Sequence, residues 1–218
     1  MKDSFTQEQG AVIVDEMIVA IQQNKQYLSD IDGAIGDGDH GINMNKGFTL
    51  CREALDANPG NLSYSLNALG KILLVKIGGS MGPLYGKFFL SFGKDLLPHD
   101  EIGKEEFLSA LKAALSSLQA ISPAKVGDKT LMDVLIPATE AMENAVAAGS
   151  TFCEALGAMS KAATEGRDST IDMVAKLGRS SRLGERSRGV MDAGSASCCL
   201  ILNTMAGAIV KLLESRPC

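Results

Sequence analysis

The residues best suited to chemistry sit in three short, glycine-bearing stretches. The densest is Ser29-Asp30-Ile31-Asp32-Gly33-Ala34-Ile35-Gly36-Asp37-Gly38-Asp39-His40-Gly41-Ile42-Asn43. Four carboxylates within ten residues repel one another unless a cation neutralises them, and the intervening glycines let the backbone fold tightly enough for them to converge. Oxygen-only ligands favour a hard divalent ion. An EF-hand calcium loop is excluded, because the twelfth position counted from Asp30, Asp32 or Asp37 is Gly41, Asn43 or Phe48 and not Glu. Magnesium held together with a phosphate is the better fit. The competing reading is a solvated acidic turn in which Asp39 caps a helix starting near Ile42.

The second stretch is Gly78-Gly79-Ser80-Met81-Gly82-Pro83-Leu84-Tyr85-Gly86-Lys87. Small residues leading into a helix expose unpaired N–H groups at the positive end of its dipole, which is how helix N-termini hold phosphate. A Walker loop is excluded, since that pattern needs Gly at Met81 and Ser or Thr at Phe88. A tight interhelical turn is the plainer alternative. The third stretch, Gly178 to Ser195, carries Arg179, Arg182, Arg186 and Arg188 within ten residues, which makes either a local anion site or a solvated basic loop. His40, between Asp39 and a helix start, reads as a phosphate donor or proton carrier, and His99, beside Pro98, as a surface residue.

These stretches need elements to position them, and the apolar spacing supplies helices. Thr6 with Gln9 forms a capping-box pattern, and Val14, Met17, Ile18, Ile21 and Leu28 continue a stripe that predicts a helix over about 6–29. Further helices are expected from near Ile42 to Asn58, over 63–77, from Pro83 to Leu96, through Phe107–Leu118, through Leu131–Ala145, over 151–165 and 168–177, and over 195–214. No segment alternates as a strand does. One all-α domain over 1–218, of about eight helices, is the expectation, with chemistry confined to the loops at the bundle's ends.

Composition agrees. The chain has 218 residues, 45% hydrophobic and 22% charged, which excludes disordered and fibrous classes, and 5% aromatic with no Trp, which disfavours an all-β sandwich. A net charge of −5 gives no broad basic face for nucleic acid, so any phosphate site must be local. No apolar run is read as long enough to span a membrane, and the first residues lack a signal pattern, so a cytoplasmic protein is expected. The five cysteines, with no CxxC pair, are expected to be reduced thiols.

Asp32-x4-Asp37-Gly38-Asp39-His40-Gly41, the Gly78-to-Gly86 loop, Gly127-Asp128-Lys129-Thr130, and Gly178-Arg179 with Leu183-Gly184-Glu185-Arg186-Ser187 occur in this order over nearly the whole chain. Together they resemble the nucleotide-binding L subunit of bacterial dihydroxyacetone kinase. The resemblance implies an antiparallel eight-helix barrel with ADP or ATP and two magnesium ions at one end. Carried over position by position, Asp32, Asp37 and Asp39 would be the metal ligands. His40, Gly41, Ile42, Asn43, Gly79, Ser80 and Met81 would lie along the phosphates, and Gly127, Arg179, Asp192, Ala193 and Gly194 would line the nucleotide site. No residue would act covalently; His40 and Arg179 would stabilise phosphate. The partners implied are a K subunit that holds dihydroxyacetone and a phosphohistidine donor subunit of a phosphotransferase relay, other members using free ATP; a homodimer is a further option. Family members usually carry Ala-Ser where this chain has Ser80-Met81, Asp-Pro-Gly-Ala where it has Asp192-Ala193-Gly194-Ser195, and Tyr at Arg182. A related short ketose such as a tetrulose is therefore a second substrate option, and a non-catalytic nucleotide-binding regulatory module a second function.

Overall fold

The computed structural model describes residues 3–215. Among them nine α-helices dominate: α1 (Gln7–Gln23), α2 (Lys25–Ile35), α3 (His40–Ala57), α4 (Leu62–Lys76), α5 (Met81–Leu96), α6 (Lys104–Gln119), α7 (Met132–Ala147), α8 (Phe152–Ser169) and α9 (Ala193–Glu214). Two three-residue strands, β1 (Ser4–Thr6) and β2 (Glu101–Gly103), pair antiparallel with Phe5 opposite Ile102, a contact too short to show as alternation in sequence.

Each helix from α3 to α9 packs on the next, and α9 packs on α1, which in turn meets α3 and α4; this closes a ring of eight helices. The expected all-α barrel is what forms, with α2 as a ninth helix set against α3 and α9. Buried residues from all nine helices join one apolar cluster, from Phe5 to Leu213. Leu, Ile, Met and Ala supply most of it, and the few aromatics run as a connected series, Phe88–Phe92–Phe107–Phe152–Phe5, with ring centroids 5.3 to 6.5 Å apart. The capping box at Thr6 is present in full: its hydroxyl accepts from the Gln9 amide at 3.2 Å while the Gln9 side chain accepts from the Thr6 amide at 2.9 Å.

Three expectations are corrected. The helix expected over 6–29 breaks at Asn24, whose side chain donates to the Ala20 carbonyl at 2.9 Å in competition with that carbonyl's helical bond to the Asn24 amide, so α2 starts afresh and brings Asp32 to the bundle's end. The helix expected over 168–177 does not form. Instead α8 runs on to Ser169 and a 3-10 turn follows at Thr170–Asp172, because the next carbonyls and amides are taken by tertiary partners. Finally, α9, of 22 residues, is long and apolar enough to cross a membrane by length and composition, contrary to the sequence reading; 61% of its most apolar window is packed inside the fold, the pattern of a core helix. Cys51, Cys153, Cys198 and Cys199 are free thiols, and burial raises the pKa of each, while Cys218 lies outside the described residues.

The α4–α5 contact matters most for the site, because it aims the start of α5. It is made by two facing glycines. A Cβ on Gly86 would lie 2.8 Å from the Leu74 amide nitrogen and 3.0 Å from the Gly70 carbonyl. Gly86→Ala must therefore push two helix backbones apart, and is expected to cost about 1–3 kcal/mol, the usual range for overpacking. A lowered urea midpoint at unchanged slope would register it; an unchanged midpoint would contradict the close approach.

Candidate functional site

At one end of the ring lies a cleft of about 290 Å³, walled by Asp32, Asp37, Asp39, His40 and Asn43 from the acidic stretch, Gly79, Ser80 and Met81 from the second, and Arg179 with Asp192, Ala193 and Gly194 from the third. Segments more than 150 residues apart in sequence thus meet at one place. What unites them is helix polarity. The first residues of α3, α5, α7 and α9 (His40, Met81, Met132 and Ala193) all line the cleft, so four helix N-termini with the positive ends of their dipoles face it. The caps of α3 and α5 (Asp39 and Ser80) make no side-chain cap bond to the first-turn amides, whereas at α7 the Met132 amide donates to the Thr130 hydroxyl at 3.2 Å and the Asp133 amide to the Thr130 carbonyl at 3.0 Å. The C-terminal end of α2, at Ile35 and Gly36, faces the same cleft and adds the opposite polarity, suited to a cation.

Asp32, Asp37 and Asp39 each place a carboxylate oxygen within 4.8 Å of the others. A solvated acidic turn would let like charges spread apart. Here the backbone prevents it: Asp32 is fixed on α2 and accepts from the His40 amide at 3.2 Å, and Gly36 leaves room for it, since a Cβ there would lie 2.5 Å from Asp32 Oδ1. Asp39 stands at the cap position of α3 without capping it, so the capping alternative is not what the carboxylate does. The guanidinium of Arg179 pairs with Asp37 and lies 4.0 Å from Asp39, supplying the only opposite charge the described residues bring to the cluster. Asp30 stays apart, exposed and bonded to Gln26 at 2.7 Å. Of the four loop arginines Arg179 alone lines the cleft; Arg188 pairs with Glu185, and Arg182 and Arg186 are exposed.

His40 is half-buried, with Nε2 2.9 Å from the Ser197 hydroxyl, which sits 2.7 Å from the Tyr85 hydroxyl; Tyr85 in turn donates to the Gly194 carbonyl at 3.2 Å. Burial pulls His40 down to about 4, with Asp32 acting in the other direction, so the ring is neutral near pH 7 and serves as a hydrogen-bonding group. Burial pushes Asp192 up to about 7 even though its carboxylate accepts from the Ser195 amide at 2.7 Å as the cap of α9.

Three residues read from sequence as site residues do not reach the cleft wall. Gly41 is buried where α3 crosses α2, a Cβ there lying 2.0 Å from the Lys25 carbonyl; Ile42 is 52% exposed on the outer side; and the Gly127 amide is spent on Asp133 Oδ1 at 2.5 Å. Gly41 thus acts by letting α2 and α3 approach, which is what sets Asp32 against Asp39. Sequence reading gave no role to Ile35, Leu84, Leu131, Met132 and Leu177, which make the cleft's apolar side, nor to Tyr85, Lys129 and Ser197. Lys129 and Tyr85 fall inside motifs that were singled out; Ser197, one small residue in an apolar helix, carries no local signal.

A family model described as the DAK2 domain matches residues 34–207. The chain belongs to the DAK2-domain family. It is 36% identical over 197 residues to the protein named PEP-dependent dihydroxyacetone kinase 2, ADP-binding subunit DhaL, of Listeria innocua, covering 88% of this chain and 90% of that one. It is 35% identical over 182 residues to the ADP-binding subunit DhaL of the PEP-dependent dihydroxyacetone kinase of Escherichia coli K12, covering 83% and 87%. A protein named D-erythrulose kinase from Mycolicibacterium smegmatis is 35% identical over 199 residues, which cover 89% of this chain and 34% of that longer one. Part of the solved dihydroxyacetone kinase of C. freundii has the same fold as this chain, with a TM-score of 0.70 at 24% identity over 91% of this chain and 34% of that one. A second structure of it, in complex with AMP-PNP and Mg2+, superposes with a TM-score of 0.66 at 24% identity, over 90% of this chain and 33% of that one.

The raised Asp192 gives this DAK2 domain a testable pH dependence. In the folded state the carboxyl keeps its proton to about 7, whereas the unfolded chain releases it near 3.8, so across that window the folded state binds more protons and the group removes stability as pH rises. Asp192→Asn keeps a cap acceptor and deletes the charge. Its stability relative to wild type, from urea midpoints of metal-free and nucleotide-free protein, is expected to rise between pH 4 and 7 and level off above; a constant difference across that range would contradict the assignment.

Proposed function

We propose that the chain is the ADP- or ATP-binding, magnesium-dependent subunit of a dihydroxyacetone or related short-ketose kinase, a phosphotransferase, and that residues 1–218 work as one DAK2 unit. The observation that carries this reading is the carboxylate cluster of Asp32, Asp37 and Asp39 facing four helix N-termini. Such a pairing suits a metal-bound polyphosphate, in which anionic oxygens and divalent charge must be held together. The names of the relatives that match nearly end to end support the same conclusion.

In this reading Asp32, Asp37 and Asp39 hold two magnesium ions. When bound, magnesium neutralises phosphate oxygens and the charge that develops on the transferring group. The chain's own groups bind and orient. Amides at the starts of α3 and α5, the His40 ring, Asn43 and Ser80 would donate to phosphate, and Arg179, which here pairs with Asp37 beside Asp39, would set its guanidinium against the nucleotide's anionic charge. The apolar side, with Ile35, Leu84, Leu131, Met132 and Leu177, takes the base and excludes water from it. Met81, where relatives of this type carry Ser, removes one hydroxyl from the phosphate side, and Ser80 next to it supplies another. No cleft side chain has a covalent role in this reading: the phosphoryl group would pass directly between nucleotide and ketose, the catalytic contribution being alignment and charge.

The ketose is held by a separate K subunit, and Arg182 and Arg186, exposed on the loop that carries Arg179, are suited to a protein partner. A phosphohistidine donor of a phosphotransferase relay recharges ADP in place. The relative named D-erythrulose kinase favours keeping a tetrulose beside dihydroxyacetone as acceptor.

Mixing the protein with a K subunit and either ketose, and supplying ATP in one arm and a phosphorylated donor in the other, should yield the ketose phosphate in at least one arm. No transfer in either, with nucleotide bound, would leave a regulatory nucleotide-binding module in its place. Asp37→Asn removes a charge without changing size; the variant is expected to keep its helical circular dichroism and lose Mg-nucleotide retention, and full retention would contradict the ligand assignment.

A further inference from the structure

Lys129 is 1% exposed, and a lysine that deeply buried needs a reason. Among the described residues it is also the one non-glycine with positive φ, at 62°, a conformation that persists only where the surroundings fix it. Its ammonium donates to the carbonyls of Met173 at 3.1 Å, Ser187 at 2.6 Å and Val190 at 2.5 Å. An ammonium has three N–H groups, so all of them are spent and none is left for a phosphate, although the residue borders the cleft. The three acceptors lie at the entry and the exit of a single loop, 173–190, whose tip presents Arg179 to the carboxylates.

We propose that Lys129 is a positioning residue that clamps the base of this loop and thereby holds Arg179 over the metal and phosphate site. Around the clamp, the Ala175 amide donates to the Ser187 hydroxyl at 2.9 Å, the Gly189 amide to the Ile171 carbonyl at 2.7 Å, and the Lys176 amide to the Asp128 carbonyl at 3.2 Å. The lysine is itself held in place by Asp133, which accepts from the amides of Gly127 and Thr130 at 2.5 and 2.7 Å on either side of it. Among the described residues the tip has no comparable anchor of its own: Arg179 is exposed and its guanidinium pairs only with aspartates of the site. Its placement therefore depends on the loop's base. The inference rests on the Mg-nucleotide reading for its consequence but not for its geometry.

The test is a double-mutant cycle on the full chain with Lys129→Met, Arg179→Met and both together, read by calorimetric titration with Mg-ADP. Each single variant is expected to weaken binding about tenfold, the size of effect that losing a charged hydrogen-bonding group produces, and the double variant no more than the weaker-binding single. Additive losses, or wild-type affinity in a folded Lys129→Met, would overturn the clamp, since a merely structural lysine would lower thermal stability without coupling to Arg179. If wild type fails to bind Mg-ADP, the functional reading falls. The clamp is then judged by hydrogen exchange: faster exchange at the Ala175 and Gly189 amides in Lys129→Met supports it, and unchanged exchange refutes it. Should Lys129→Met not fold, Ser187→Ala, which cuts the tie to Ala175, replaces it in the same cycle with the same expected non-additivity.

Discussion

Three carboxylates held within 4.8 Å of one another set the terms for the rest of the fold. At that separation each like-charged pair repels by on the order of 1–4 kcal/mol, from water-like to protein-like dielectric, and an unconstrained loop would relax it by spreading. The barrel does not let it. Asp32 is fixed on α2, Asp39 at the start of α3, and Gly41 lets those helices meet with almost no gap. The strain this creates is offset at the same place by the positive ends of four helices and by Arg179. A site so built is strongly polarised: it favours divalent charge next to the carboxylates and anionic charge next to the helix starts, and a metal-bound polyphosphate supplies both.

Closing helices into a ring is what makes that convergence possible. Each helix contributes one end, and alternate chain direction brings the starts of α3, α5, α7 and α9 to a common rim while the other ends point away. Facing glycines such as Gly70 and Gly86 draw neighbouring helices close, so that small errors in helix placement are not absorbed by side chains. The cleft is thus rigid on the α3 and α5 side. On the remaining side, the irregular loop bearing Arg179 is held at its base by buried polar ties together with the buried Ala175 and the partly buried Leu177, while Arg179 itself is exposed.

What could be read from the sequence was what is local. Asp32, Asp37 and Asp39 stood out because glycines and carboxylates alternate within a few residues, and helix starts near Ile42 and Pro83 because small residues precede apolar periodicity; the helices in fact begin two residues earlier, at His40 and Met81. The ring of helices followed from spacing and from family resemblance together. What could not be read is what tertiary contacts decide. The stripe through Leu28 hides a break caused by one asparagine side chain at Asn24, and the apolar residues of 168–177 are drawn out of helix by partners such as Lys129 and Asp128. Ser197 and Tyr85 earn their place behind His40 only once α5 and α9 are side by side. Gly41, Ile42 and Gly127 were carried over as site residues by motif position, and the structure separates a residue that touches the cleft from one that shapes it.

The central claim is that this cleft binds nucleotide through metal held by the aspartates. Calorimetric titration of ADP into metal-free protein, with and without magnesium, tests it most directly. Tight binding in magnesium and a loss of at least a hundredfold when EDTA replaces it is the result this account predicts, the carboxylates otherwise repelling the phosphates. Equal affinity in both conditions would contradict it.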